Sequence, residues 1–135
     1  MEIIIWKDDY SVGLVEIDDQ HKKLISIINE LISTVMDYGD ERVMGDVLKQ
    51  LADYTVYHFD TEEKYMEMFN FPGYENHRRK HKDFKIKILG FVQKHNKGEA
   101  VMDMELLEFI WNWLKAHIAV MDKEYTSCFN KHGIK

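Results

Sequence analysis

At 135 residues the chain has the length of one domain, enough to bury roughly two thirds of its unfolded surface. Its 18 basic and 24 acidic side chains leave a formal charge of −6, which argues against nucleic acid or an anionic membrane surface as partner. A lone cysteine, Cys128, excludes an internal disulfide and a thiolate metal cage, and no basic leader or run of ~20 apolar residues appears. These features lead to the expectation of a cytoplasmic monomer without membrane insertion.

Residues 1–17 read as an extended arm, with a turn at Tyr10-Ser11-Val12-Gly13. A first helix is predicted over about 19–38, capped by Asp18 or Asp19. Its stripe is His21, Leu24, Ile25, Ile28, Leu31, Ile32 and Val35, spaced three and four apart. Gly39-Asp40 separates it from a second helix over about 41–68, whose stripe holds Val47, Leu51, Thr55, His58 and Glu62. The only proline, in Phe71-Pro72-Gly73, ends that helix. A third follows over about 75–95 with His77, His81, Phe84, Ile88 and Phe91 on one face. After Asn96-Lys97-Gly98 the fourth spans about 103–130, carrying Leu106, Ile110, Trp113, Leu114, His117, Ile118, Met121 and Tyr125. Short connections favour antiparallel neighbours. The fold class expected is therefore all-α: an antiparallel up-down-up-down four-helix bundle over 18–131 with an N-terminal arm, one domain across 1–135.

Five of the seven histidines form a spaced set with two carboxylates: His21, His58-x3-Glu62, His77-x3-His81 and His117-x4-Asp122. Residues four apart share a helix face, about 6 Å apart along the axis. All but Asp122 lie on the apolar stripes, where an unpartnered polar side chain is costly. A common partner resolves that cost, and imidazole with carboxylate is a metal-ligand combination. A lone histidine on an apolar face is more often a satisfied core residue, but three pairs and a single on four segments are hard to assign to packing. Seven ligands exceed the four of a tetrahedral zinc site and suit two metals. His95 and His132, near helix ends, are set aside as solvated.

These residues resemble the hemerythrin family, single-domain bacterial type, over essentially the whole chain. Trp6-x3-Tyr10-Ser11-Val12-Gly13 and Ile17-Asp18-x-Gln20-His21-x2-Leu24 are similar to the family's opening motif. His58-Phe59-x2-Glu62, His77-x3-His81 and His117-x4-Asp122 follow in family order. The resemblance implies two non-haem iron ions, cycling between Fe2+ and Fe3+ and joined by an oxo or hydroxo bridge. Glu62 and Asp122 would bridge both irons, His77, His81 and His117 would complete one, and His21 and His58 would leave the other an open position. It implies reversible O2 binding for storage or transport, with azide and similar small anions taken by the diferric form, and no catalysis. Leu24, Phe59, Trp113, Leu114 and Ile118 would line the O2 pocket by analogy with family positions. The alternatives are a di-iron enzyme reducing peroxide or NO, with Tyr125 as the nearest candidate acid, or an O2 or redox sensor acting through a separate partner.

Two expectations follow from physical chemistry. Asp122, five residues after His117, would sit about 140° away on a regular helix. A π-type widening between 117 and 122 reconciles the pair. The metal-free protein should keep its helices but melt lower, with acid most damaging because bare imidazoles protonate.

Overall fold

Helices form where the stripes predict them: α1 Val15–Met36, α2 Glu41–Met68, α3 Tyr74–Asn96 and α4 Met104–Ala116, with a short α5 at Thr126–Lys131. The computed structural model describes residues 3–37, 41–99, 104–118 and 122–135, and among them there is no strand. The Gly39-Asp40 break, the expected start of the fourth helix at 103, and Met121 lie outside the described residues.

Backbone geometry explains the helix ends. Asn70 adopts a left-handed φ of 53°, and the amides of Asn70 and Phe71 donate back to the carbonyls of Glu67 and Met66 at 3.3 and 2.9 Å. This is the Schellman closure, with asparagine in the position glycine usually fills, and Pro72 then blocks continuation. Gly98, at φ 78°, closes α3 in the same way through Gly98 to His95 and Glu99 to Lys94, both at 3.0 Å.

Two boundaries differ from expectation. α1 begins at Val15, so the arm ends at Leu14, and Asp18 lies inside the first turn of the helix. Its carboxylate binds the arm instead of capping the helix: Ser11 Oγ donates to it at 2.5 Å and the Val12 amide at 2.8 Å. An aspartate in the first turn still complements the helix dipole, so the early start costs nothing electrostatically. The fourth segment is not one helix to 130. After α4 the backbone widens to π-type bonding at His117–Ile118, and a 3-10 turn occupies Asp122–Tyr125 before α5.

The arm runs antiparallel to α1. Asn29 pairs with both backbone groups of Ile4, accepting from its amide at 2.7 Å and donating to its carbonyl at 2.8 Å. Tyr10 meets Trp111 of α4 edge to face at 5.9 Å, and Thr126 Oγ1 donates to the Val12 carbonyl at 2.7 Å. The arm therefore ties the first helix to the last.

Buried apolar residues form two clusters. The larger contains Leu24, Ile28, Leu51, Phe59, Phe84, Ile88, Leu107, Leu114 and Ile118. The smaller gathers Val12, Leu14, Ile17, Met66, Tyr125 and Phe129 at the other end. Each long segment passes from one cluster to the other through the same polar layer. α1 goes from Ile17 past His21 to Leu24, and α2 from Phe59 past Glu62 to Met66. α3 passes His77 and His81 before Phe84; the last segment passes from Leu114 through His117 and Asp122 to Tyr125. Direction alternates from helix to helix, which is the up-down-up-down arrangement. The site is a polar slice through an apolar bundle.

Candidate metal centre

All seven sequence-predicted ligand residues lie in that slice, and each is buried: His21, His58, Glu62, His81 and Asp122 at 0%, His77 at 1% and His117 at 3% exposure. Their donor atoms fall into two groups. Glu62, His77, His81, His117 and Asp122 form one, and His21, His58, Glu62 and Asp122 the other. Within each group the atoms lie inside 4.8 Å of one another, and the two carboxylates belong to both.

Asp122 lies in the slice, and the described backbone departs from the regular helix at His117–Ile118, which is π-type, and at the 3-10 turn that Asp122 begins. Bonding from i to i+5 brings residues five apart onto a common face. His117 Nε2 lies 3.1 Å from Asp122 Oδ1. The described part of the expected widening, His117–Ile118, is π-type; residues 119–121 lie outside the description. The other oxygen of Asp122 is 2.9 Å from His21 Nε2, while Oδ1 also meets His77 Nε2 at 2.7 Å. Glu62 touches His58 on its own helix and lies 3.5 and 3.8 Å from His77 and His81 Nε2. His81 and His117 bring their Nε2 atoms to 2.8 Å of each other.

Proximity without alignment marks this cluster. Both oxygens of Glu62, Asp122 Oδ2, His58 Nε2 and both ring nitrogens of His21 lack an aligned hydrogen bond despite these short separations. Leaving that many buried polar atoms unsatisfied costs on the order of 1–3 kcal/mol each. The atoms aim at shared points between them, as ligands of a common cation do. Two donors on one transition-metal ion, each bonded at ~2.1 Å, stand no more than ~4.2 Å apart. The residues therefore fit a pair of cations after small inward adjustment.

Electrostatics in the metal-free cluster are those of an ion-pair network. Burial raises Glu62, but His58, His21 and His77 outweigh it and hold the carboxyl well below its usual range. Asp122 is held low in the same way, by His117 and His21 against burial and the repulsion of Glu62. Burial depresses His21 and His77, yet the adjacent carboxylates of Asp122 and Glu62 push both up to about 9. His81 goes the other way: burial lowers it, and Glu63 only partly compensates. Tyr125 is fully buried with an unpartnered hydroxyl, held protonated well above 10 by burial and by the two carboxylates.

The five residues expected to line an O2 pocket fall into two kinds of surroundings. Phe59 stacks face to face on His81 at 3.8 Å, and Trp113 stacks on His117 at 4.6 Å. Both thus press on rings of the three-histidine group, although Phe59 also lies 5.8 Å from His58. Leu24, Leu114 and Ile118 are buried in the larger apolar cluster. His95, set aside from sequence, rests its ring against Gly45, and His132 stacks on Phe69 at 4.3 Å.

Two partners of the ligand rings were not read from the sequence. Gln20 Oε1 lies 2.7 Å from His58 Nδ1, and Glu63 Oε2 lies 3.1 Å from His81 Nδ1. Each sits next to a ligand in the chain, rotated off the apolar stripe that drew attention to its neighbour. The available signal was rotation of about 100° toward the adjacent helix.

A model of the hemerythrin HHE cation binding domain matches residues 12–128. The chain belongs to the hemerythrin family. Curated relatives agree: bacteriohemerythrin of Stenotrophomonas maltophilia is 30% identical over 132 residues, covering 98% of this chain and 85% of its own. A hemerythrin-like protein of Naegleria gruberi is 33% identical over 120 residues, covering 89% and 88%. The crystal structure of wild-type hemerythrin superposes with a TM-score of 0.89 at 28% identity, covering 94% of this chain and 98% of that one. The hemerythrin bundle is thus shared, with a histidine and carboxylate cluster suited to iron. Among the described residues no helix is long and apolar enough to cross a membrane.

Proposed function

We propose that this hemerythrin binds O2 reversibly at two non-haem iron ions. His77, His81 and His117 would hold one ion, His21 and His58 the other, and Glu62 and Asp122 both. The observation that carries this reading is the pair of donor groups sharing Glu62 and Asp122 inside a fully buried slice. An iron pair held there would supply the two-electron redox chemistry that O2 binding requires.

The chain's own residues make that exchange reversible. Five neutral imidazoles against two carboxylates leave the site poor in anionic donors, which disfavours oxidation beyond the ferric state. Phe59, Trp113, Leu114 and Ile118 keep water from the slice on one side, and Ile17, Met66 and Phe129 on the other. Exclusion of water also excludes the outside protons that would carry off reduced oxygen. The same apolar side would have to make room for azide in the diferric form, a linear anion one atom longer than O2.

One observation favours a second reading, reduction of peroxide or NO: the unpartnered Tyr125 hydroxyl lies against this slice and is a proton donor in waiting. Stopped-flow mixing of the reduced, iron-loaded protein with O2, then with peroxide and NO, separates the two. Binding that reverses on lowering O2, without turnover, supports carriage; sustained consumption of peroxide or NO overturns it.

A further inference from the structure

The two donor groups have different outer partners. On the two-histidine side, Gln20 is 5% exposed and its Nε2 donates to Thr61 Oγ1 at 3.3 Å. Thr61 in turn donates to the Tyr57 carbonyl at 3.0 Å. That chain fixes the amide with its oxygen toward His58 Nδ1, which donates to it, and His58 Nε2 is the nitrogen directed at Glu62. The partner is neutral.

On the three-histidine side the partner of His81 Nδ1 is a carboxylate, Glu63. Its side chain is 16% exposed and edges a surface depression shared with Asp60, Lys64 and Glu67. Contact with water spares its carboxyl group the penalty of full burial. His21 Nδ1 and His77 Nδ1 have no such partner among the described residues. A carboxylate on the outer nitrogen makes an imidazole a more basic ligand. The stacked Phe59 ring holds His81 in the plane that keeps this contact.

We propose that Glu63 is a positioning residue that, set against Gln20, makes the two halves of the centre electrically unequal. The ion held by His77, His81 and His117 is bound more tightly, and keeps its ferric state more strongly, than the ion held by His21 and His58. This rests on the reading that the seven residues hold two redox-active ions.

Glu63→Gln keeps a hydrogen-bond acceptor and removes the charge; Gln20→Glu adds one beside His58. Two readouts apply: stepwise Co2+ binding to the metal-free protein, and the two one-electron potentials of the iron-loaded protein, with electrons supplied by an electrode. Glu63→Gln should weaken one Co2+ step ~10- to 100-fold and leave the other in place. It should raise one iron potential, by about 59 mV for each tenfold change in the ferric-to-ferrous equilibrium. Gln20→Glu should lower the other potential. Unchanged constants and potentials in a Glu63→Gln protein, whether or not its melting temperature falls, overturn the proposal. So do two variants that move the same ion, which would indicate a general change of charge. Fewer than two Co2+ per wild-type chain overturns the underlying reading, and this proposal with it.

Discussion

Leu114 lies three residues before His117 and is 2% exposed, so its side chain leans over the slice. Replacing it with alanine should cost about 2–3 kcal/mol, toward the low end for a buried leucine because the site adjoins. Decay of reversibly bound O2 to the oxidised protein should accelerate far more than that loss explains. Ile88→Ala, equally buried and about two turns beyond His81, is the control. Autoxidation half-life set against melting temperature for both variants checks this; equal acceleration means general loosening and no pocket effect. Ligand substitutions should be unequal as well. Glu62→Ala or Asp122→Ala should lower occupancy of both metals, whereas His58→Ala should lose chiefly one, and metal content per chain distinguishes these outcomes. Six of the seven candidate ligands were legible because histidine and glutamate on an apolar stripe violate burial rules unless something pairs with them; Asp122, off the stripe, came from the resemblance to the family motif. Gln20 and Glu63 were not, since a polar residue just off the stripe is indistinguishable from a solvated one until the neighbouring helix is in place.

Arm and last helix depend on each other through few contacts. Asp18 receives Ser11 Oγ and the Val12 amide, and the Val12 carbonyl receives Thr126. Hydrogen bonds to a charged acceptor contribute ~1.5–3 kcal/mol. Asp18→Ala should therefore lower the melting temperature by several degrees and raise amide exchange at Val12 before α2 or α3 is affected. Unchanged exchange at Val12 would mean the carboxylate does not hold the arm. The helices themselves were readable from periodicity and from the breaks at Phe71-Pro72-Gly73 and Asn96-Lys97-Gly98. The early start of α1 was not, because Asp18 looks like a cap and its real partner is the arm, seven residues back. The interruption after α4 was visible only as a conflict between His117 and Asp122, which a regular helix cannot bring together. Spacing located the irregularity; it could not show that a 3-10 turn and a separate α5 follow.

For the molecule as a whole, the polar slice governs stability. Glu62 and Asp122 are held below their ordinary values of 4.5 and 3.8, so their contribution is present above those values and fades as pH falls. His21 and His77, raised from 6.5 to about 9, contribute fully below 6.5 and lose that contribution as pH rises through 9. His81, lowered by burial, adds to the acid loss below 6.5. The sequence-based expectation placed acid damage on imidazoles in general; the geometry assigns it to the two carboxylates and His81, and gives His21 and His77 the opposite sign. Metal-free protein should thus melt highest near neutral pH and lower on both sides, keeping its helical content throughout the neutral range. Metal replaces the protons on His21 and His77, so the loaded form should melt well above it and lack the alkaline decline. Melting curves of both forms from pH 4 to 10 check this, and a metal-free midpoint that climbs steadily to pH 10 contradicts it.

We propose that seven buried side chains hold two irons that take up and return O2. The most direct test of this is iron analysis of the purified protein joined to its visible absorption spectrum through repeated cycles of O2 addition and removal after reduction. Two irons per chain are expected, with a charge-transfer spectrum that appears with O2 and disappears when O2 is withdrawn, cycle after cycle. A single metal per chain with a featureless spectrum, or O2 consumed with no return to the reduced spectrum, would contradict it.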